Sequence, residues 1–221
     1  MRRRHPQSRI VAVNPISMEL VREVYDVVKA FPVSVIFGTG GYDYRIGTSE
    51  EIEESFILQL QMFHSNLSRE ELVKTPVYQQ VKKSTKHVSG IGELEELGIP
   101  VYKVFLFSMD TDMLDQIREK LEKNPGIAVA ASFSTNLEIT DVKAQKGPVL
   151  KEYIESLGYT MDEVMVLGDS LNDYSMISMD FGATVAMGNA VPEIKKAAKY
   201  VTKTNTDLGV ACAIEELLKR R

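Results

Sequence analysis

One short run in the 221 residues concentrates groups able to do chemistry, Gly168-Asp169-Ser170-Leu171-Asn172-Asp173. It follows directly on Val164-Met165-Val166-Leu167, a continuous apolar run of the kind found in strands buried on both faces of a parallel sheet. Asp169 and Asp173 stand four apart at the carboxyl end of that strand and the mouth of the next helix. Such a pair suits a hard divalent cation, because Mg²⁺ takes oxygen ligands and usually only one or two carboxylates from protein. The same residues also fit a helix N-cap with an acid in the first turn, where aspartate is favoured without any ligand. Asn172 and the preceding glycine make the cluster denser than a cap requires. Upstream, Lys146-Gly147-Pro148 sets a lysine at the start of a helix, where its amine and the free amides of the first turn could hold an anion such as phosphate. A lone lysine is ordinarily a solvated surface residue. The aspartates 23 positions later give this one a possible role.

Periodicity supplies the elements that must position these groups. A helix over 147–157 carries Val149, Leu150, Tyr153, Ile154 and Leu157, with Pro148 in its first turn and Gly158 at its end. After the strand at 164–167 come a short helix near 171–179, a strand at 183–187, a helix around 192–198, a strand at 199–202 and a final helix to Leu218. This βαβαβα series predicts a doubly wound parallel sheet, whose ligands sit at the carboxyl ends of its strands. Before residue 136 the chain also alternates helical and extended patterns. Ser17 caps a helix with apolar Leu20, Val21, Val24, Tyr25, Val28 and Phe31, which Pro32 ends, and a strand follows at 33–37. Gly38-Thr39-Gly40-Gly41 is a hairpin turn rather than a phosphate loop, since no lysine follows and 42–46 looks extended. Residues 49–86 are polar and mostly helical, with Pro76 starting a new turn. Strands at 101–107 and 127–131 flank a helix at 113–121.

With 44% apolar and 26% charged residues the chain can bury a core, which excludes a disordered segment and a small disulfide scaffold. A net charge of −5 gives no global basic field for nucleic acid or anionic lipid, so neither is an expected partner. No apolar run approaches the roughly 18 residues of a membrane span. Cys212 is the single cysteine and cannot form an internal bridge, which fits a reducing compartment and a cytoplasmic location. Arg2, Arg3 and Arg4 form a solvated basic tail, since the apolar stretch after them, Ile10 to Val13, is too short for a secretion signal.

Taken together, Leu137-Glu138-Ile139-Thr140, Lys146-Gly147, GDSLND at 168–173, VAMGNA at 185–190 and VTKTNTDLGVACAIEELL at 201–218 resemble the carboxyl half of the haloacid dehalogenase superfamily. More narrowly, they resemble its Cof-type phosphatases. The resemblance implies an α/β fold in which 136–221 is the C-terminal part of a Rossmannoid hydrolase core and 1–135 an α/β cap that sets substrate specificity. It implies a Mg²⁺-dependent phosphatase of small phosphorylated, sugar phosphate-like metabolites. Lys146 would steady the phosphate and the nucleophile, Asn172 would touch the phosphate, Asp169 would ligate the metal and Asp173 would support the metal site. Leu208 departs from the acidic residue or glycine common there and is expected to alter a loop without removing chemistry.

The family's nucleophile is the first aspartate of an Asp-x-Asp-Gly-Thr motif, and these 221 residues hold none. The chain matches the family from inside the cap, near 10–15, so the expectation is a truncated and impaired enzyme that lacks the covalent aspartyl-phosphate route. The alternative is a non-catalytic protein of the same fold that binds a ligand or partner. Asp110-Thr111-Asp112 after the strand at 101–107, with Ser132 after the strand at 127–131, mimics the family's first two motifs in order. Met113-Leu114 replaces the Gly-Thr, so Asp110 is better explained as a helix N-cap.

Overall fold

The computed structural model describes residues 13–219, so the expected basic tail and most of the Ile10 run lie outside the described residues. The chain divides into two compact units, one of residues 15–142 and one that runs from Lys143 onward and includes Asn14. Asn14 is tied to the second by its Nδ2, which donates to the Lys143 carbonyl at 3.3 Å.

In the first unit, α1 (Met18–Val28) is capped by Ser17, whose Oγ accepts from the Leu20 amide at 3.3 Å. A six-stranded sheet runs in the order β3-β2-β1-β4-β6-β5, from β1 (Ser34–Thr39), β2 (Asp43–Ile46), β3 (Thr85–Val88), β4 (Val101–Phe107), β5 (Ile127–Ala130) and β6 (Asn136–Asp141). β1 and β2 pair as an antiparallel hairpin with Phe37 opposite Tyr44, as the glycine-rich turn predicts. Helices α2 (Ser49–Phe63), α3 (Arg69–Leu72) and α4 (Pro76–Ser84) follow β2, and Pro76 opens α4 as expected. α5 (Ile91–Glu96) and α6 (Thr111–Leu121) complete the unit. Val21, Val24 and Val28 of α1 and Leu114, Ile117 and Leu121 of α6 form one buried core with Phe37, Leu106, Leu137 and Ile139 of the sheet. A separate cluster joins Ile52, Phe56, Leu60, Leu72 and Tyr78 of α2, α3 and α4.

Two differences from the sequence reading follow from strand pairing. β3 closes the stretch read as mostly helical, because Thr85–Val88 pairs in parallel with Asp43–Ile46. The division between units falls at 142/143 rather than 135/136, because β6 pairs with both β4 and β5 and its Leu137 and Ile139 are fully buried in the first unit's core.

Asp110 is the N-cap of α6, its carboxylate accepting from the Met113 amide at 2.9 Å. Asp110→Ala is therefore expected to cost about 1 kcal/mol of stability, read as a fall in the urea midpoint at unchanged slope. Glu138 on β6 accepts from Lys103 Nζ of β4 at 2.6 Å and from the Ser132 hydroxyl. Burial raises its carboxyl, but the bonds from Lys103, Ser132 and Asn136 together hold it below the ordinary glutamate value. A carboxyl depressed by folding stabilises above its unfolded pKa and loses that contribution as the pH falls through its folded one. Stability is thus expected to fall as the pH drops below 4.5, and Glu138→Gln to remove part of that slope. Identical pH profiles of the urea midpoint in the two proteins would refute this.

In the second unit, β7 (Met165–Gly168), β8 (Ala183–Ala186) and β9 (Tyr200–Val201) form a parallel sheet in the order β7-β8-β9. Helices α7 (Lys146–Ser156), α8 (Tyr174–Ile177), α9 (Pro192–Ala197) and α10 (Gly209–Lys219) alternate with the strands. The βαβαβα series is as expected. The fully buried strand is β8, the central one, whereas Met165 and Leu167 of β7 are half-buried at the sheet's edge among the described residues. Leu208, at φ 59°, enters α10 in the left-handed region, a conformation that favours glycine over leucine.

Candidate active site

The site is built where β7 ends. Beyond Gly168, the Met187 amide donates to the Gly168 carbonyl and the Val191 amide to the Asp169 carbonyl, both at 3.0 Å, so the loop after β8 fixes the backbone under Asp169. Leu171–Asp173 forms a 3-10 turn, closed by the Asp173 amide on the Ser170 carbonyl at 2.9 Å. That turn folds the Asp173 carboxylate back, and its Oδ2 accepts from the Asp169 amide at 3.0 Å. Gly168 leaves the room for it: a Cβ there would stand 2.6 Å from the Asp173 Cβ.

Lys146 opens α7, and its Nζ donates to Asp173 Oδ1 at 2.5 Å. The Asp173 side chain is 10% exposed and that of Lys146 is 51% exposed, so the pair holds a buried carboxylate against a lysine open to solvent. α7 is positioned by its next residue. The Gly147 amide donates to Ser175 Oγ at 3.2 Å, and a Cβ on Gly147 would lie 2.2 Å from the Ser175 carbonyl oxygen. The Gly147 amide is therefore committed to Ser175 and is not free for the anion that the sequence leads us to expect at this end of α7.

Asp169 is exposed. Ser170 Oγ lies 3.4 Å from its Oδ1, and Asn189 Nδ2 lies 3.4 Å from its Oδ2. Asn189 is itself held by the Asn205 amide, which donates to its Oδ1 at 2.9 Å. Half-buried Asn172 accepts from Ser170 Oγ at 2.8 Å. The sequence-predicted residues Lys146, Asp169, Asn172 and Asp173 thus meet at the carboxyl end of β7. Sequence reasoning gave no role to Ser170 or Asn189, although both lie in the motifs it quoted.

The two aspartates are not equivalent. Both Asp173 oxygens already accept a hydrogen bond, one from Lys146 and one from the Asp169 amide, whereas Asp169 presents its carboxylate to solvent with only long contacts. Among the described residues no group of three His, Cys, Asp or Glu side chains is placed to hold a metal ion. The donor set fits Mg²⁺, which keeps several waters and needs only one or two protein carboxylates beside a substrate phosphate.

Residues 4–214 match the family model of haloacid dehalogenase-like hydrolases. The chain belongs to this family. A haloacid dehalogenase-like hydrolase from B. subtilis has a solved structure that superposes with a TM-score of 0.72 at 26% identity, covering 93% of this chain and 73% of that one. Phosphatase YwpJ of Bacillus subtilis is 30% identical over 207 residues, covering 89% of this chain and 72% of its own length. The 5-amino-6-(5-phospho-D-ribitylamino)uracil phosphatase YcsE of the same organism is 43% identical over 105 residues, 48% of this chain and 42% of its own. A second phosphatase of that name, YwtE, matches over 46% of its own length, so the chain spans less than half of each of these two relatives. The resemblance drawn from the motifs holds at the family level, and the fold is the α/β one it implied. Among the described residues no helix is long and apolar enough to cross a membrane.

Proposed function

We propose that this chain supplies the lysine and metal-binding part of a Mg²⁺-dependent phosphatase of small phosphorylated metabolites, with residues 15–142 as the cap that selects the substrate. The observation that carries the reading is the linkage of Lys146, Asp173 and Asp169 at the carboxyl end of β7. Phosphoryl transfer asks a protein mainly for positioning and for charge that meets the equatorial oxygens of the transferred group. Lys146 Nζ carries three donors, and Asp173 takes one, so the others remain to meet phosphate oxygens in the open half of its environment. Asp173 also fixes the Asp169 backbone, so that one buried carboxylate sets the positions of both the cation and the metal ligand. Asp169 would hold Mg²⁺, which when bound offsets charge on the phosphoryl oxygens. Asn172, on the same turn, would meet the phosphate in this reading. Sugar phosphate-like substrates belong to the same reading, in line with two relatives named as phosphatases of a phosphorylated ribitylamino uracil, and so does a cytoplasmic location, on the single cysteine of the sequence.

Asp110 does not serve as nucleophile in this reading, because its carboxylate caps α6. The 221 residues by themselves are then expected to hydrolyse p-nitrophenyl phosphate no faster than a Lys146→Ala, Asp169→Ala control. Joined to a family segment carrying Asp-x-Asp-Gly-Thr, they are expected to gain Mg²⁺-dependent turnover. A folded joined protein without turnover would favour the non-catalytic binding alternative. Turnover by the 221 residues that Asp110→Asn abolishes would overturn the assignment of the nucleophile.

A further inference from the structure

A cavity of about 680 Å³ lies within residues 15–142, between α1, the start of β1, the end of β2 and α2. That volume is typical of small-molecule sites. Arg45 of β2 lines it and is only 2% exposed. Its Nη1 donates to Ser34 Oγ at 3.3 Å and to Ser55 Oγ at 2.5 Å, and its Nη2 to Gln59 Oε1 at 2.5 Å, so all of these partners are neutral. The guanidinium carbon stands 4.8 Å from the centre of the Phe56 ring. Arg45 Nε is buried and has no hydrogen-bond partner.

The other charges of the cavity wall are committed. Lys29 donates to Asp26 at 2.5 Å, Arg69 pairs with Glu54, and Glu51 accepts from the Thr48 amide at 2.7 Å as part of a capping box. Asp43, two residues before Arg45 on the same face of β2, is the charge that acts on it electrostatically, without an ion-pair contact among the described residues. Burial pushes the Arg45 guanidinium down to about 10 and Asp43 raises it, while burial raises the Asp43 carboxyl and Arg45 lowers it. A buried charge is normally paired as well as hydrogen-bonded, and a buried N–H without a partner is uncommon in native proteins. The guanidinium fork matches the geometry of a carboxylate or phosphate. Ile52 and Leu58 of α2, the helix that carries the Arg45 partners Ser55 and Gln59, supply apolar wall to the same cavity.

We propose that this cavity binds a small organic anion, its carboxylate or phosphate held by Arg45 and its carbon body against Ile52 and Leu58 of α2. The cavity shares no lining residue with the Asp169 cluster, and the proposal does not rest on the phosphatase reading. Ligand entry requires the Arg45 side chain to shift enough to present its Nε–H.

The test uses the full 221-residue chain, ¹⁵N-labelled, with the Arg45 Nε–H resonance assigned through Arg45→Lys. Benzoate, phenylphosphonate and inorganic phosphate are titrated separately, the first two to distinguish carboxylate from phosphate-type ligands. The resonance is expected to move saturably at millimolar benzoate or phenylphosphonate. Arg45→Gln is expected to weaken that binding by about tenfold or more, followed on resonances of the cavity wall. Because Arg45→Gln can fail to fold, Leu58→Trp, which fills the cavity and leaves Arg45 in place, is the second variant and is expected to abolish the shift. No movement with any probe, movement with inorganic phosphate alone, or a shift that persists in folded Leu58→Trp each overturns the proposal.

Discussion

Gly147→Ala is expected to destabilise the unit that begins at Lys143 by about 2 kcal/mol or more, although alanine is the better helix former. On an open helix surface the exchange would gain about 0.5–1 kcal/mol. Here the added carbon would stand 2.2 Å from the Ser175 carbonyl oxygen, 2.6 Å from Met179 Sδ and 2.7 Å from the Ser175 carbonyl carbon. Two of those three atoms are backbone of α8, which cannot rotate away as a side-chain end can. Overpacking of a tight contact typically costs about 1–3 kcal/mol, and α7 must separate from α8 to relieve this one. The separation moves Lys146, one residue earlier, off Asp173, so the stability loss and the loss of the site geometry share a cause. Gly92→Ala in α5 is the matched control, since a Cβ there meets nothing within 4 Å and only the propensity gain remains. With a urea slope of about 1–3 kcal/mol per molar, the Gly147→Ala midpoint is expected to fall by about 1 M and the Gly92→Ala midpoint to hold or rise. Equal midpoints for the two variants would show that α7 and α8 are not locked by that glycine.

The place of Asp169 and Asp173 is legible because residue type, spacing and the apolar run before them each suggest the carboxyl end of a parallel strand, whereas Lys146, at the start of a helix, is drawn to them only by the family resemblance. Pro76, Ser17 and the glycine-rich hairpin were legible because their conformational preferences act locally. β3 was not, since Thr85-Lys86-His87-Val88 has half-exposed or exposed residues at three of four positions and becomes a strand only by pairing with β2. The unit boundary was missed for a related reason. Family-like residues begin at Leu137, but β6 hydrogen-bonds to β4 and β5, and that pairing over many intervening residues leaves no local mark. Asn189, beside Gly188, and Ser170, just before a 3-10 turn, escaped because an asparagine or serine in such a place reads as a turn residue until the fold brings it to Asp169.

The largest effect expected on activity belongs to Asp169. In the joined protein that turns over phosphate, Asp169→Asn is expected to lower kcat by about 10²-fold or more at saturating substrate, the range seen when one electrostatic contact to the transition state is removed. The substitution keeps the size of the side chain and one oxygen to accept from Asn189, and it leaves the residue's backbone amide free to donate to Asp173, so the fold and the Lys146 pair remain. What it removes is the one carboxylate of the cluster that faces solvent. Raising Mg²⁺ is then expected to recover part of the rate, because the deficit lies in metal affinity as well as in charge. Lys146→Ala makes the contrast. In the proposed reading it removes a phosphate contact made in the bound substrate and strengthened in the transition state, so KM is expected to rise along with the fall in kcat, and added Mg²⁺ is expected to restore neither. It also leaves the buried Asp173 carboxylate with only the Asp169 amide, so a measurable loss of stability should accompany it, whereas Asp169→Asn should unfold near the parent midpoint. If Asp169→Asn kept the parent rate and Mg²⁺ dependence, the metal would have to be held elsewhere and the unequal roles assigned to the two aspartates would be wrong.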